Sequence, residues 1–381
     1  MDMNIRHLVV CVASLVLAAI IFMNGAVAAE EPSAKPEDFR PAAVSDLPGV
    51  AQSKVVAFIK GFLNSTRSMA NRDAGDLGWD CLAAAALLEA GDKRAGAKLR
   101  ATAQLLADTA VRSKGVIKGW RYQGKSPDSC PHGGLDAFGD GTCNTPNTVY
   151  SFQTGLGIAC LATAGDFLGN KEFLTMAGQV LSFWQQYTLA AVPCTGCAYY
   201  LYSDHSNDSG RYVRNINVFM AYGAAVLGIA ASDPAATQLA RRAMRSELDE
   251  RRAGNEGYLG RLDPQWISKQ ADASQNVENH AAAMAVLSDQ IGVLLASKEF
   301  RDHGLGVWEK WATCDNKRCR TANCRFWGGD ASKCQATLTA AHCAFRKKSP
   351  LASSQCGEYL SRASSLPPFG LWATIVGGTS Q

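Results

Sequence analysis

The chain has 381 residues, 47% of them hydrophobic and 19% charged, with a formal net charge of +4 and 35 glycines. That balance excludes a disordered chain, a coiled coil, a collagen-like repeat and a polybasic nucleic-acid binder. The length allows two ordinary domains or one large one.

At the N-terminus Arg6 and His7 precede an apolar run over residues 8–23, and small residues follow at Ala26 and Ala28. This is the layout of a secretory signal peptide, with cleavage expected after Ala28 or Ala29. The alternative is an uncleaved anchor, because the run approaches membrane-spanning length. We therefore expect a signal peptide over 1–28, a flexible Pro/Ala/acid-rich lead-in over 29–48, a folded domain over 49–312 and a cysteine-rich extension over 313–381. No later stretch reaches about eighteen uninterrupted apolar residues, so no stable membrane span is expected after cleavage, and the protein is expected to be periplasmic or secreted.

Three Ala/Gly/Leu-rich runs end in nearly the same turn: residues 82–90 before Gly91-Asp92, 149–164 before Gly165-Asp166, and 218–231 before Ser232-Asp233. A fourth, 277–288, ends near Ile291-Gly292. Glycine stops a helix and aspartate can cap the next one. More amphipathic runs follow, over 93–112, 171–189, 235–252 and 298–311. Asp92, Asp166 and Asp233 recur about 70 residues apart, a size that fits stacked two-helix units. The first helix of each pair is apolar nearly all round, as an enclosed helix should be. The second has a charged face, for example Arg241, Arg242, Arg245, Glu247, Asp249 and Glu250. Inner apolar helices ringed by amphipathic ones describe an all-α fold, an α/α toroid built as an incomplete barrel of helical hairpins, with a disulfide-rich C-terminal extension. An open solenoid of hairpins is the rival.

The links between hairpins carry aromatic strips: Gly119-Trp120-Arg121-Tyr122, Tyr199-Tyr200-Leu201-Tyr202 and Gly257-Tyr258-Leu259-Gly260. Long loops inside a compact domain are usually functional. On the pattern of Gly-Trp-x-Tyr followed by a hairpin ending Ala-Gly-Asp, residues 75–312 resemble the α/α-toroid superfamily, which includes terpenoid-cyclase-like folds and many polysaccharide lyases, hydrolases and uronyl epimerases. The resemblance implies binding or processing of a polysaccharide at the open end of the barrel; if the chain is an enzyme, it implies lyase, hydrolase or epimerase chemistry. The alternative is a non-catalytic secreted scaffold for a protein or peptide partner.

Counting back sixteen residues from each turn aligns Asp76, Tyr150, Asn217 and Asn276; twelve back lie Asp80, Thr154, Ala221 and His280. Positions four apart share a helix face, so these residues can converge on one cavity. Glu278 and His280 are the candidate proton-transfer groups, and Arg214 the candidate holder of an acidic group. Trp120, Tyr122, Tyr150, Asn217, Tyr202, Tyr258 and Asp80 are the candidate substrate contacts. The bland alternative is that the polar residues cap helices, the aromatic ones anchor loops and His280 is a satisfied core histidine.

Thirteen cysteines become an even twelve once Cys11 is removed, which fits an oxidising compartment. Cys130 with Cys143, and Cys194 with Cys197, are candidate disulfides; six more crowd between Cys314 and Cys356, where they can form a stapled tail. The pair Cys194 and Cys197 follows a helix C-terminus, the wrong end to activate a thiol. Asp136, Asp140 and Asn144 surround a glycine turn as a calcium loop can, without the EF-hand spacing. The segment Asp204-His205-Ser206-Asn207-Asp208-Ser209 has catalytic residue types but reads equally as a turn before a helix. No P-loop, GxGxxG, HExxH or GxSxG is present, so no cofactor and no metal site is expected.

Overall fold

Helices buried on nearly every side alternate along the chain with helices buried on one side only. The computed structural model describes residues 49–64, 73–122, 130, 134–135, 141–188, 194–255, 257, 259–263, 278–311, 313–314 and 319–320, all within one compact unit, Arg40–Gln381. The expected signal peptide, lead-in and nearly all of the cysteine-rich extension lie outside the described residues. In chain order the elements are α1 (Gly49–Asn64), α2 (Ala74–Glu89), α3 (Ala95–Thr109), the antiparallel pair β1 (Val111–Ser113) and β2 (Val116–Gly119), α4 (Ser151–Leu168), α5 (Lys171–Trp184), α6 (Arg214–Ala230), α7 (Pro234–Arg252), α8 (Glu278–Leu294), α9 (Lys298–Trp311), and a second antiparallel pair, β3 (Thr313–Cys314) and β4 (Cys319–Arg320). Among the described residues no helix is long and apolar enough to cross a membrane.

Helices α2, α4, α6 and α8 pack side by side in that order, and α3, α5, α7 and α9 each pack against the one before. This is the inner and outer arrangement of an α/α toroid. In α5, Phe173, Met176, Ala177, Val180, Leu181 and Trp184 recur at three- and four-residue spacing on the buried face, as a one-sided helix requires. The inner helices approach through glycine. A Cβ at Gly155 would sit 2.5 Å from the carbonyl oxygen of Phe219, and one at Gly223 would sit 2.5 Å from that of Gly155, so α4 and α6 meet backbone to backbone. A disulfide between Cys81 of α2 and Cys160 of α4 also joins two inner helices. Closing so long a loop removes unfolded-chain entropy equivalent to about 4 kcal/mol in the chain-entropy model.

One turn closes each of the four inner helices. Asp92, Asn170, Asp233 and Ser297 each donate a backbone N–H to the carbonyl five residues earlier, on Leu87, Gly165, Gly228 and Gly292, at 2.7–2.9 Å. The residue just before each cap is left-handed: Gly91 (φ 92°), Gly169 (63°), Ser232 (52°) and Ala296 (51°). This is the Schellman close of a helix. At Asn170, Asp233 and Ser297 the same residue then starts the outer helix, its side chain accepting from backbone amides two or three residues on, whereas Asp92 accepts from the Arg94 amide one residue ahead of α3.

The repeat corrects two helix ends expected from the sequence. Helix α4 runs through Gly165-Asp166 to Leu168, and α8 runs through Ile291-Gly292 to Leu294. These glycines do not stop the helix; they admit a neighbour. A Cβ at Gly165 would meet Leu174 at 2.7 Å, and one at Gly292 would meet Arg301 at 2.4 Å. Counting from Asn170 rather than Asp166 shifts α4 by four residues, so that Thr154, not Tyr150, stands level with Asp76 and Asn217.

Because L-residues pay for left-handed backbone, Ser232→Gly and Ala296→Gly are each expected to stabilise the fold by about 0.5–1 kcal/mol, and Gly169→Ala to destabilise it by about 1 kcal/mol. Urea unfolding with the disulfides intact measures all three; an unchanged midpoint for Gly169→Ala would count against the turn geometry.

Candidate functional site

Measured from the four caps, Asp73, Ser151, Arg214 and Glu278 stand level at the start of the inner helices. The spatial contacts agree with this register: a Cβ at Gly75 would meet the Phe152 ring at 2.9 Å, and one at Gly78 would meet Leu156 Cβ at 2.8 Å. The first turns of α2, α4, α6 and α8 therefore share one end of the ring.

At this end two carboxylates of α2 lie together. Asp73 is its N-cap, with Oδ1 accepting from the Asp76 amide at 2.9 Å and Oδ2 facing Gln153 Nε2 at 3.5 Å. Burial raises the Asp73 carboxyl above its ordinary range, the Asp76 amide opposes this, and the Asp76 charge adds to the rise. Tyr122, 41% exposed, is close enough that both aspartates add to the upward shift that burial gives its hydroxyl. Phe152 meets Phe219 edge to face at 4.7 Å, and Phe219 meets Trp79 at 6.0 Å, forming an aromatic layer across α2, α4 and α6. Asn215, in the first turn of α6, is buried with its Oδ1 unpartnered among the described residues. The arrangement offers two carboxyls of different surroundings, an exposed phenol ring and an unmet acceptor. Sequence reasoning missed Asp73, although an aspartate three residues ahead of another, before an apolar run, is a helix-start signal.

The other sequence candidates are distributed differently. Trp120 is 1% exposed, its indole N–H donating to the Leu106 carbonyl at 2.8 Å and its ring lying where Gly157 leaves room. Tyr150 is buried, edge-on to Tyr202 at 5.8 Å; its hydroxyl accepts from Asn144 Nδ2 at 3.2 Å, and burial raises it to about 12. Tyr202 is half-buried, and Asp80 is fully buried. Asn217 joins inner to outer helix, accepting from the Tyr200 amide and donating to the Ala243 carbonyl and Glu247, each at 3.2 Å. The side chains of Glu278 and His280, and all of Tyr258, lie outside the described residues.

Arg214 is 2% exposed, with Nε on Glu247 Oε2 at 2.9 Å and Nη1 on the carbonyls of Asn255 and Gly257 at 2.8 and 2.9 Å. Its charge is met inside the protein, so the geometry gives it an internal carboxylate rather than a substrate's. Around it Tyr212 donates to Glu247, Tyr199 donates to Glu250 at 2.6 Å, and Arg261 pairs with Glu250 at 3.3 Å. This buried network clamps the segment after α7 against the start of α6. His303 of α9 lies near it, fully buried with both ring nitrogens unpartnered among the described residues. Burial, then the charges of Arg214 and Arg251, lower its pKa to about 3.

Cys130 is joined to Cys143, and Cys194 to Cys197. In the segment after Ser203, Asp204 pairs with Lys118 Nζ at 2.9 Å and accepts from the Val149 amide at 3.0 Å. His205 Nδ1 accepts from the Asn207 amide at 3.2 Å, while buried Asp208 accepts from Ser203 and from Asn144 at 2.7 Å. These side chains tie loops together. Asp136 and Asp140 of the calcium reading lie outside the described residues, and among the described ones no group of three or more His, Cys, Asp or Glu is placed to hold a metal.

No family model matches the chain, and neither does any curated protein. Its fold is similar to a D-mannose isomerase (12% identity, 86% of each chain covered, TM-score 0.55). It is also similar to a GH76 α-mannanase from Bacteroides thetaiotaomicron (9%, 82% of each, 0.52) and to a sugar epimerase from a ruminal bacterium (11%, 85% of this chain and 83% of that one, 0.51). At such identities the likeness shows the fold, which is that of the α/α toroids.

Arg214→Met strands a buried carboxylate and is expected to cost about 3–5 kcal/mol in urea unfolding, with the added change Glu247→Gln restoring part of it. For His303 the sign is acid-destabilising: the unfolded chain takes up a proton below about 6.5 that the folded chain refuses until about 3. Stability should fall by up to about 1.4 kcal/mol per pH unit across that window from this group alone. His303→Leu should flatten the slope; equal pH profiles for both proteins would remove His303 as its source.

Proposed function

We propose that this chain is an exported protein that acts on carbohydrate where the first turns of α2, α4, α6 and α8 meet, by lyase, hydrolase or epimerase chemistry. The observation that carries the reading is the pair of carboxylates Asp73 and Asp76 beside the exposed Tyr122 ring and Phe152. Each of the three reactions moves a proton to or from a sugar carbon or oxygen, which needs groups of unequal proton affinity at one place. Asp73, with its carboxyl raised by burial, is the proton donor, and Asp76 stands beside it in the first turn of α2. Glu278 and His280 begin the neighbouring inner helix α8 and exchange protons from that side. Tyr122 gives a sugar ring a flat apolar face and a hydroxyl, and Tyr202 and Tyr258, each in a different link between hairpins, are further candidate contacts. Arg214 positions, through Glu247, the helix that carries Asn215. The sugar-acting names of the structures with similar fold support the substrate class. Signal-like residues 1–28 and disulfides at Cys81–Cys160 and Cys130–Cys143 support export to an oxidising compartment.

The test is a screen of the purified chain against neutral and acidic polysaccharides and free sugars, reading bond cleavage, unsaturated product and isomerisation. Asp73→Asn keeps a good helix cap, so it should retain the melting temperature while losing about 100-fold or more in turnover. Asp76→Asn and His280→Ala should lose activity as well. Full activity in both aspartate variants, or neither binding nor turnover across the panel, would overturn the reading.

A further inference from the structure

The disulfide between Cys194 and Cys197 differs from the other two among the described residues. It spans three positions of one segment, so opening it parts no two helices, whereas the fully buried Cys81–Cys160 pair joins α2 to α4. The Cys130–Cys143 pair ties residues thirteen positions apart. We propose that Cys194–Cys197 is a thiol–disulfide exchange site, entered at Cys194 by an external dithiol and attached through Cys197 to a segment that packs on α6 and α7.

Access, charge and attachment each carry this. Cys194 is half-buried and its neighbours Thr195 and Gly196 are exposed, whereas Cys197 is fully buried. A nucleophile therefore reaches the bond from the Cys194 side, and Cys197 is the leaving sulfur. Two guanidiniums of α7 stand at that leaving end. Arg242 Nη2 donates to the Cys197 carbonyl at 3.1 Å, and Arg245 Nη1 lies 3.2 Å from where a Cβ on Gly196 would be. Positive charge beside a thiol favours its thiolate, and a more acidic leaving thiol departs faster. The activating charge thus comes from α7 alongside, not from the end of α5. Beyond Cys197, the Ala198 amide donates to the Arg242 carbonyl and to Ser246 Oγ, both at 3.1 Å. The Tyr199 hydroxyl donates to Glu250 at 2.6 Å, and the Tyr200 amide to Asn217 Oδ1 of α6 at 3.2 Å. In the exchange, a thiolate of the dithiol attacks Sγ of Cys194 as the S–S bond breaks. Cys197 leaves with the electron pair and takes a proton from water. The second thiolate of the dithiol then attacks its own sulfur in the mixed disulfide and releases Cys194, which is protonated in turn. The dithiol becomes a disulfide, the cysteine pair gains two electrons and two protons, and the segment from Ala198 to Tyr200 loses its covalent anchor.

Brief treatment of the full chain with dithiothreitol, then alkylation and peptide mapping, should label Cys194 and Cys197 about tenfold faster than Cys130 and Cys143, and leave Cys81 and Cys160 unlabelled. With glutathione in place of the dithiol, the trapped adduct should sit on Cys194. Arg245→Gln, a change at an exposed position, should slow opening of the pair about fivefold and leave the Cys130–Cys143 rate unchanged, which also reports that the fold is intact. Hydrogen exchange should quicken at the Ala198 and Tyr200 amides once the pair is reduced. The proposal is overturned by labelling of Cys194 and Cys197 no faster than of Cys130 and Cys143, by an adduct on Cys197, by an unchanged opening rate in Arg245→Gln, or by unchanged exchange at both amides.

Discussion

The hydrogen bond from each cap residue back to the carbonyl five residues earlier is the constraint on which the ring depends. It ends an inner helix and reverses the chain through one left-handed residue, and in three of the four turns the same cap side chain opens the outer helix. Made at Asp92, Asn170, Asp233 and Ser297, it sets inner helices of nearly equal length in one register. Their first turns then meet at one end and their last turns at the other. The carboxylate site is a consequence of that shared register, not of any local motif.

The alternation of enclosed and one-sided helices was legible in the sequence because burial on all sides demands an apolar helix, and a charged face demands water. The helix ends were less legible, because glycine serves two purposes that look alike in a sequence. Gly91 and Gly169 supply left-handed backbone, whereas Gly165 and Gly292 sit within helices and make room for Leu174 and Arg301. Ser232 and Ala296 adopt the strained conformation without glycine, so the turn they make carries no compositional mark. A shift of four residues in one helix is enough to put Thr154 rather than Tyr150 in the row with Asp76 and Asn217.

The candidate site shows the same division. Residue types were read correctly as polar groups in apolar helices, but their partners are distant in sequence. Arg214 meets Glu247 on the next outer helix, and Asn217 meets both that carboxylate and the Tyr200 amide. Trp120 is aromatic in a loop, yet the bare Cα of Gly157 lets its ring sink into the core. Pairings of this kind arise when elements dock, and a single sequence holds no signal for them.

The disulfide between Cys81 and Cys160 bears on the order of assembly. Both cysteines are fully buried, between inner helices that other elements later enclose. An oxidant can reach these thiols only while α2 and α4 are still open to solvent. Formation of the bond therefore requires a state in which α2 and α4 lie together while their facing surfaces are still open to solvent, and once formed it holds those two inner helices side by side even when the rest of the ring opens.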